Sequence, residues 1–395
     1  MTGQLDVGTE VPASAAPRRS DIAVRAILAP VAIFAANRVV QFLLVMLLLR
    51  PGQTVYSRLA IWDADFFLRI AAHGYDHGLQ YDGSGQLIGN TLAFFPGYPL
   101  CVRFVALFGL PYATAGVLVS LLAGAAGTVL IHLLGRRLRG ERFGYVLAVL
   151  FCAQPMSVVF SMAYSEALFC ALVLAMLYAL HRDTWLVAGG FAVAAGLTRT
   201  TGFAAAVALA CYAGYRLWSD RGRPDAPRWR PVLAALAGLA AVPAFWLWVG
   251  WRLGRADGWF LEQSQGWGTG IDLGAASLRF VGETFRNADG FVPIATAFLL
   301  VGTGALVLWA LLDRGARGWW PFALYGLLSY GTVAGASGYF NSRPRLLVPV
   351  LSALLPVGAA LLHARTRVLV PCLVAISVTG CWFGAYMITV WPYTI

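Results

Sequence analysis

The chain has 395 residues, of which 59% are apolar and only 12% charged. Soluble domains carry about 25% charged residues, so a water-soluble globule is excluded. The net charge is +11 and all 29 basic side chains are arginine. They gather in short stretches between apolar runs, which is the positive-inside pattern of a membrane protein rather than a nucleic-acid-binding surface.

Apolar runs near the length needed to cross ~30 Å of hydrocarbon recur from end to end. The expected fold is all-α, a polytopic membrane protein with about eleven transmembrane helices. Residues 1–20, with Pro12 and Pro17, read as a disordered cytoplasmic tail, and residues 21–395 as one transmembrane domain. The first span covers about 24–49 and is too long for a signal-peptide core, so it is expected to stay uncleaved. A long loop reaches to about 92. The run 94–110 holds Pro96, Pro99 and Arg103 and is closed by Pro111, so it is predicted to lie at the interface rather than cross. Further spans are predicted at 112–134, 143–161, 166–180, 185–198, 201–217 and 231–251. After a loop of about forty residues come 291–312, 319–338, 346–362 and 368–390.

With a cytoplasmic N-terminus, the arginine clusters at 136–142, 182, 216–230, 314–317 and 365–367 all fall on the cytoplasmic side. The long loops 50–92 and 252–290 then fall outside. With Glu166 they carry Asp63, Asp65, Asp76, Asp82, Asp257, Glu262, Asp272, Glu283 and Asp289, ten of the eighteen acidic residues. The working face is therefore expected to be extracytoplasmic, on a multi-pass protein of the plasma membrane.

Four stretches on that face carry candidate chemistry. In the segment from Trp62 to Tyr75, helical spacing puts Trp62, Phe66 and Arg69 on one face, and Asp65 beside Arg69. Such a helix holds carboxylates at the membrane surface, either as a solvated interfacial face or as a catalytic one. Asn90 to Pro99 sets aromatics among prolines, as an interfacial anchor or as a wall against a sugar or prenyl chain. Glu166 opens an apolar span behind Tyr164, where an acidic group needs a partner or a task, or serves as helix-terminal charge. Arg199, Arg343 and Arg345 are arginines on the face that should lack them. They suit a lipid phosphate, or a salt bridge to Glu166 or to a loop carboxylate.

His73 and His77 stand four apart without the remaining ligands of a metal site, so no metal is expected. The six cysteines lie in apolar runs without a CxxC spacing. No nucleotide-binding loop, dinucleotide fingerprint or HExxH occurs, and no cofactor is expected.

Together the stretches 62–75 (WDADFFLRIAAHGY), 93–99 (AFFPGYP), 154–169 (QPMSVVFSMAYSEALF) and 197–203 (LTRTTGF) resemble the PIG-V family. That family holds the second mannosyltransferase of GPI-anchor synthesis and its bacterial relatives. Against it, this chain carries a longer insert around Asp82 to Gly85. The resemblance implies a GT-C glycosyltransferase architecture with extracytoplasmic loop helices. It also implies mannose transfer from a polyprenyl-phosphate-mannose donor, with inversion, to a hydroxyl of a glycolipid, lipoglycan or protein. On this reading Asp63 is the base and Asp65 its positioning partner or substitute. Arg199, Arg343 and Arg345 meet the departing phosphate, and Glu166 orients a sugar hydroxyl. Trp62, His73, Tyr75, Phe95, Tyr98 and Tyr164 contact substrate. The alternatives are another polyprenyl-phosphate sugar, or a transporter or flippase.

Overall fold

The computed structural model describes residues 19–221, 228–287, 290–313 and 319–395. Residues 1–18 of the expected tail, the 314–317 cluster and Asp289 lie outside them. Helix α1 (Arg19–Leu48) leads into a short α2 (Val55–Leu59), which starts on a reciprocal cap between Thr54 and Ser57. Helix α3 (Asp63–His73) follows, then strands β1 (Gln80–Tyr81) and β2 (Leu87–Ile88). The insert is thus an antiparallel hairpin, closed by the Asp82 carboxylate accepting from the Ser84 and Gln86 amides. Helix α4 (Gly97–Ala106) has ten residues, about 15 Å at 1.5 Å per residue, and does not cross. Its Leu100, Phe104 and Leu107 point outward, as suits a helix seated at the membrane boundary.

The bundle continues with α5 (Tyr112–Arg139), α6 (Glu141–Cys152), α7 (Glu166–His181), α8 (Trp185–Gly196), α9 (Gly202–Ser219) and α10 (Trp229–Leu253). A long connection holds α11 (Gly258–Leu261), a π-helical turn at Glu262–Gly266, β3 (Gly270–Ile271) and α12 (Ala275–Asn287). Then come α13 (Phe291–Leu312), α14 (Trp320–Ala334), β4 (Ala336–Ser337), α15 (Arg343–Leu346), α16 (Leu354–Leu362) and α17 (Thr366–Thr389).

Among the described residues, five helices are long and apolar enough to cross a membrane: α1 from Val24, α5, α10, α13 and α17. A pair bent by 68°, 340–346 with 351–362, has the same apolar character and is a broken span or a re-entrant loop. The chain is a multi-pass membrane protein. The remaining predicted runs are shorter helices of 12 to 18 residues, so length and composition alone do not carry the count of eleven.

The two ends of the bundle differ in kind. At one end arginines meet neighbours on adjoining helices: Arg139 with Asp313 at 2.5 Å, Arg216 with Asp183 at 2.5 Å, and Arg142 with the Ala364 carbonyl. At the other end the two long loops meet. Strands β3 and β4 pair there, and Arg252 donates to the carbonyls of Tyr75 and Asp76.

The predicted span at 143–161 is not one helix. Pro155 has no amide and restricts the residue before it, so α6 ends at Cys152. Residues 153–165 continue as turns around a 3-10 segment at Ser157–Phe160, nearly all buried. The predicted span at 346–362 is likewise broken, around Pro349. Backbone polar groups at membrane depth must be satisfied from inside the protein. Arg38 of α1, fully buried and absent from the sequence-based reasoning, does this for the first break. It donates to the Ser157 carbonyl at 2.6 Å and the Cys152 carbonyl at 3.1 Å, and also reaches the Ser157 and Ser161 hydroxyls. Gly380 lets α17 close on the same break, since a Cβ there would sit 2.0 Å from the Ala153 oxygen.

Replacing Arg38 with Met should lower the thermal unfolding midpoint of the detergent-solubilised protein. Two buried carbonyls lose their donor, each worth about 1–3 kcal/mol. A midpoint equal to wild type would show that the break is satisfied by other means.

Candidate active site

The site forms where α3, α7, the α8–α9 turn and α15 converge at the end carrying the long loops. Its entrance is the start of α3. Trp62 there has φ 61° and ψ −117°, a left-handed backbone that a bulky residue adopts at a cost of about 1–3 kcal/mol. The surroundings hold it. The Tyr164 hydroxyl donates to the Ile61 carbonyl at 3.1 Å, and the Ala163 amide to the Leu59 carbonyl at 2.8 Å. The Arg58 guanidinium lies over the Trp62 ring at 5.4 Å. The sharp turn makes Asp63 the first residue of α3 and leaves its side chain 23% exposed.

Behind Asp63 lies a four-membered charge network. Arg345 Nη1 is 2.6 Å from Asp63 Oδ2. Its Nε faces Glu166 Oε1 at 3.5 Å, and its guanidinium sits 4.9 Å over the Tyr164 ring. Arg199 Nη1 is 2.8 Å from the same Glu166 oxygen and donates to the Ser165 hydroxyl at 2.8 Å. Glu166 has no exposed surface, whereas the Arg199 side chain is 16% exposed. Two carboxylates and two guanidiniums leave the network formally neutral. Both carboxylates sit in the first turn of a helix, where backbone amides favour negative charge.

The other expected site residues divide. Asp65 is 69% exposed and 4.0 Å from Arg69, outside the network. Arg343 is buried elsewhere: it donates to the Val333 carbonyl at the end of α14 and to the Ala336 carbonyl of β4, and stacks on Phe340. His73 is exposed at the last turn of α3, and Trp62 is half-buried at its start. Tyr75 donates to the Phe94 carbonyl and packs on Trp248. Phe95 is buried against Phe245 and Trp259. Tyr98 is buried and bonds the Gly116 carbonyl and Ser120, and the Ser120 hydroxyl in turn holds the Tyr164 carbonyl. These last three are the frame of the site.

Two carboxylates that sequence reasoning left without a task fasten the loops. Asp76 accepts from the Thr91 amide at 3.0 Å and its hydroxyl at 2.6 Å, and lies 3.3 Å from Arg69. Burial alone would raise the Asp76 carboxyl. The Thr91 hydrogen bonds, with Arg69 and Arg252, outweigh it and hold the group below the usual carboxylate range. Glu262, buried in the second loop, accepts from the Asn90 amide at 2.6 Å, and burial pushes its carboxyl up. Its partner is 172 residues away, and no local pattern announces such a pair.

A partly exposed carboxylate backed by guanidiniums is equipped to take a proton from a hydroxyl while an anion sits beside it.

Part of the chain resembles known proteins. Residues 52–221 match the family model described as Mannosyltransferase (PIG-V). That segment contains Asp63, Glu166 and Arg199 and resembles those mannosyltransferases. The chain is 34% identical over 151 residues to GPI alpha-1,6-mannosyltransferase 2 of Cricetulus griseus, covering 35% of this chain. It is 36% identical over 151 residues to the Mus musculus protein of that name, again 35% of this chain. The match spans 28% of the length of each of these relatives. Among solved structures, ArnT from Cupriavidus metallidurans in the apo state aligns with a TM-score of 0.53 at 18% identity, covering 87% of this chain and 62% of that one. The archaeal oligosaccharyltransferase AglB from Archaeoglobus fulgidus aligns at 0.51 and 13% identity, covering 91% and 56%. The fold is that of these GT-C enzymes.

Asp76→Asn should destabilise the protein in a pH-dependent way. A carboxyl titrating lower folded than unfolded, where it is ~3.9, stabilises fully above the unfolded value. That contribution is lost as the pH falls through the folded value. The gap between wild-type and Asp76→Asn unfolding midpoints should therefore be full at pH 7 and shrink on acidification below ~4. A gap that stays constant with pH would mean Asp76 acts through shape alone.

Proposed function

We propose that the protein transfers a mannosyl residue from a polyprenyl-phosphate-mannose donor to an acceptor hydroxyl on the extracytoplasmic side of the plasma membrane, with inversion. The observation that carries this reading is Asp63. It is a partly exposed carboxylate at a strained helix start, backed by Arg345, within the segment that matches the mannosyltransferase family.

The acceptor oxygen attacks the anomeric carbon, the bond from that carbon to the phosphate oxygen breaks, and its electron pair leaves with the phosphate. The acceptor proton passes to Asp63. General-base help of this kind contributes typically ~10²–10⁴-fold. Arg345 and Arg199 meet the charge that grows on the phosphate. Glu166 holds both guanidiniums in place, Arg199 Nη1 at 2.8 Å and Arg345 Nε at 3.5 Å. Two observations support a lipid-phosphate donor. Arginine forks suit phosphate, and the two GT-C neighbours were solved with lipid phosphates, ArnT bound to undecaprenyl phosphate and AglB in complex with a dolichol-phosphate. The arginine-rich opposite end, on the cytoplasmic side by the positive-inside rule, supports this orientation. The charged network lies at one end of the bundle rather than at its middle, which weighs against a transporter. The acceptor is a glycolipid, a lipoglycan or a protein hydroxyl.

Membranes containing the protein should move sugar label from polyprenyl-phosphate mannose into an endogenous lipid or lipoglycan acceptor. Asp63→Ala should cut the rate by ~100-fold or more with the protein still folded. Near-normal transfer by that variant would remove Asp63 from its role. Transfer only from a different polyprenyl-phosphate sugar would reassign the donor.

A further inference from the structure

The reading of Arg199 and Arg345 as the lipid-phosphate subsite carries a consequence about the order of events. We infer that Asp63 competes with the donor phosphate for Arg345, so that seating the phosphate is the step that frees the base.

Arg345 has little room to serve a third partner. It is only 8% exposed, its Nη1 is committed to Asp63 at 2.6 Å, its Nε faces Glu166, and the Tyr164 ring fixes its plane. Nη2 makes neither of these contacts, so a phosphate that engages the guanidinium as a fork takes Nη2 together with the Nη1 that Asp63 holds. The network shows surface at Asp63 and Arg199, so an anion entering there reaches Arg345 along the side that Asp63 holds. Carboxylate and phosphate carry like charge and want the same guanidinium edge. Without donor, Arg345 Nη1 holds the Asp63 Oδ2 oxygen at 2.6 Å, so that oxygen is engaged before an acceptor arrives. With the phosphate on Arg345, Asp63 loses that partner and turns to the acceptor hydroxyl.

The same exchange balances charge during transfer. As the anomeric carbon leaves the phosphate oxygen, the phosphate gains one negative charge. At that moment the acceptor proton reaches Asp63 and removes one. A protonated Asp63 no longer attracts Arg345, which stays with the phosphate. One guanidinium thereby serves the base before the donor arrives and the leaving group afterwards, and the base is released only on an enzyme already holding its donor.

The test is a binding measurement without turnover. Farnesyl phosphate serves as a short lipid monophosphate and farnesol as the uncharged control, titrated at fixed pH and ionic strength. The proteins are wild type, Asp63→Asn, Asp63→Ala, Arg345→Gln and the Asp63→Asn/Arg345→Gln double variant. Removing the competing carboxylate should tighten farnesyl phosphate binding about tenfold in both Asp63 variants, the scale of a local coupling of 1–3 kcal/mol. Arg345→Gln should bind weakly, and the double variant should show no gain over it. Having two Asp63 variants guards against one that folds poorly. If the Asp63 variants bind as wild type does, or more weakly, while Arg345→Gln loses affinity, the competition is wrong and the phosphate subsite stands. If no protein prefers farnesyl phosphate over farnesol, the subsite itself is wrong, and the competition with it.

Discussion

Glu166 has no contact with solvent, and an acidic side chain at that depth is costly unless cations are brought to it. Two come, from places far apart in the chain. Arg199 arrives on the turn between α8 and α9, and Arg345 on the first arm of the bent pair. Arg345 in turn reaches Asp63. A single buried charge thus ties the first long loop, the start of α7, the α8–α9 turn and the bent pair into one object. Removing either arginine leaves negative charge undercompensated where water cannot reach it, so these side chains are constrained structurally as well as chemically.

Irregular backbone supports that object and needs support of its own. The segment 153–165 crosses the interior without α-helical hydrogen bonds and delivers Tyr164, Ser165 and Glu166 to the site. Arg38 holds its near end and Ser120 its far end. The long loops brace the site from outside. Asp76 clamps Thr91, Glu262 clamps Asn90, and β3 pairs with β4 a few residues before Arg345. The strained Trp62 is tolerable because its neighbours are pinned from both sides.

Much of this was legible in the sequence, and the failures have physical causes. Hydropathy and arginine placement located the apolar helical runs, including α4, because apolar length and loop charge are local properties; α12, inside the predicted second long loop, was not among them. Pro155 and Pro349 marked breaks that a simple apolar run hides. In both paired motifs of the site the structure brings one residue of the two into the network. Asp63 and Asp65, like Arg343 and Arg345, are two residues apart on helical backbone, about 200° around the axis, so one of each pair faces the network and the other cannot. The three frame aromatics Tyr75, Phe95 and Tyr98 were assigned to substrate because composition does not distinguish a ring that lines a site from one that braces it. The roles of Arg38, Asp76 and Glu262 had no local signature, since Thr91 lies 15 residues from Asp76, Ser157 119 from Arg38 and Asn90 172 from Glu262.

The same geometry explains why the centre of the network is arginine rather than lysine. Arg345 touches Asp63 with one nitrogen and faces Glu166 with another, while its flat face lies on Tyr164. A lysine ammonium is a point charge on a flexible stem; it cannot occupy two fixed directions and a stacking plane together. Two carboxylates on separate helices are therefore held at a set spacing by one rigid planar cation. An anion that draws this cation away must loosen the more exposed carboxylate, Asp63, before the buried Glu166, because only Asp63 has water to turn to. The difference in burial between the two acids gives the network its direction.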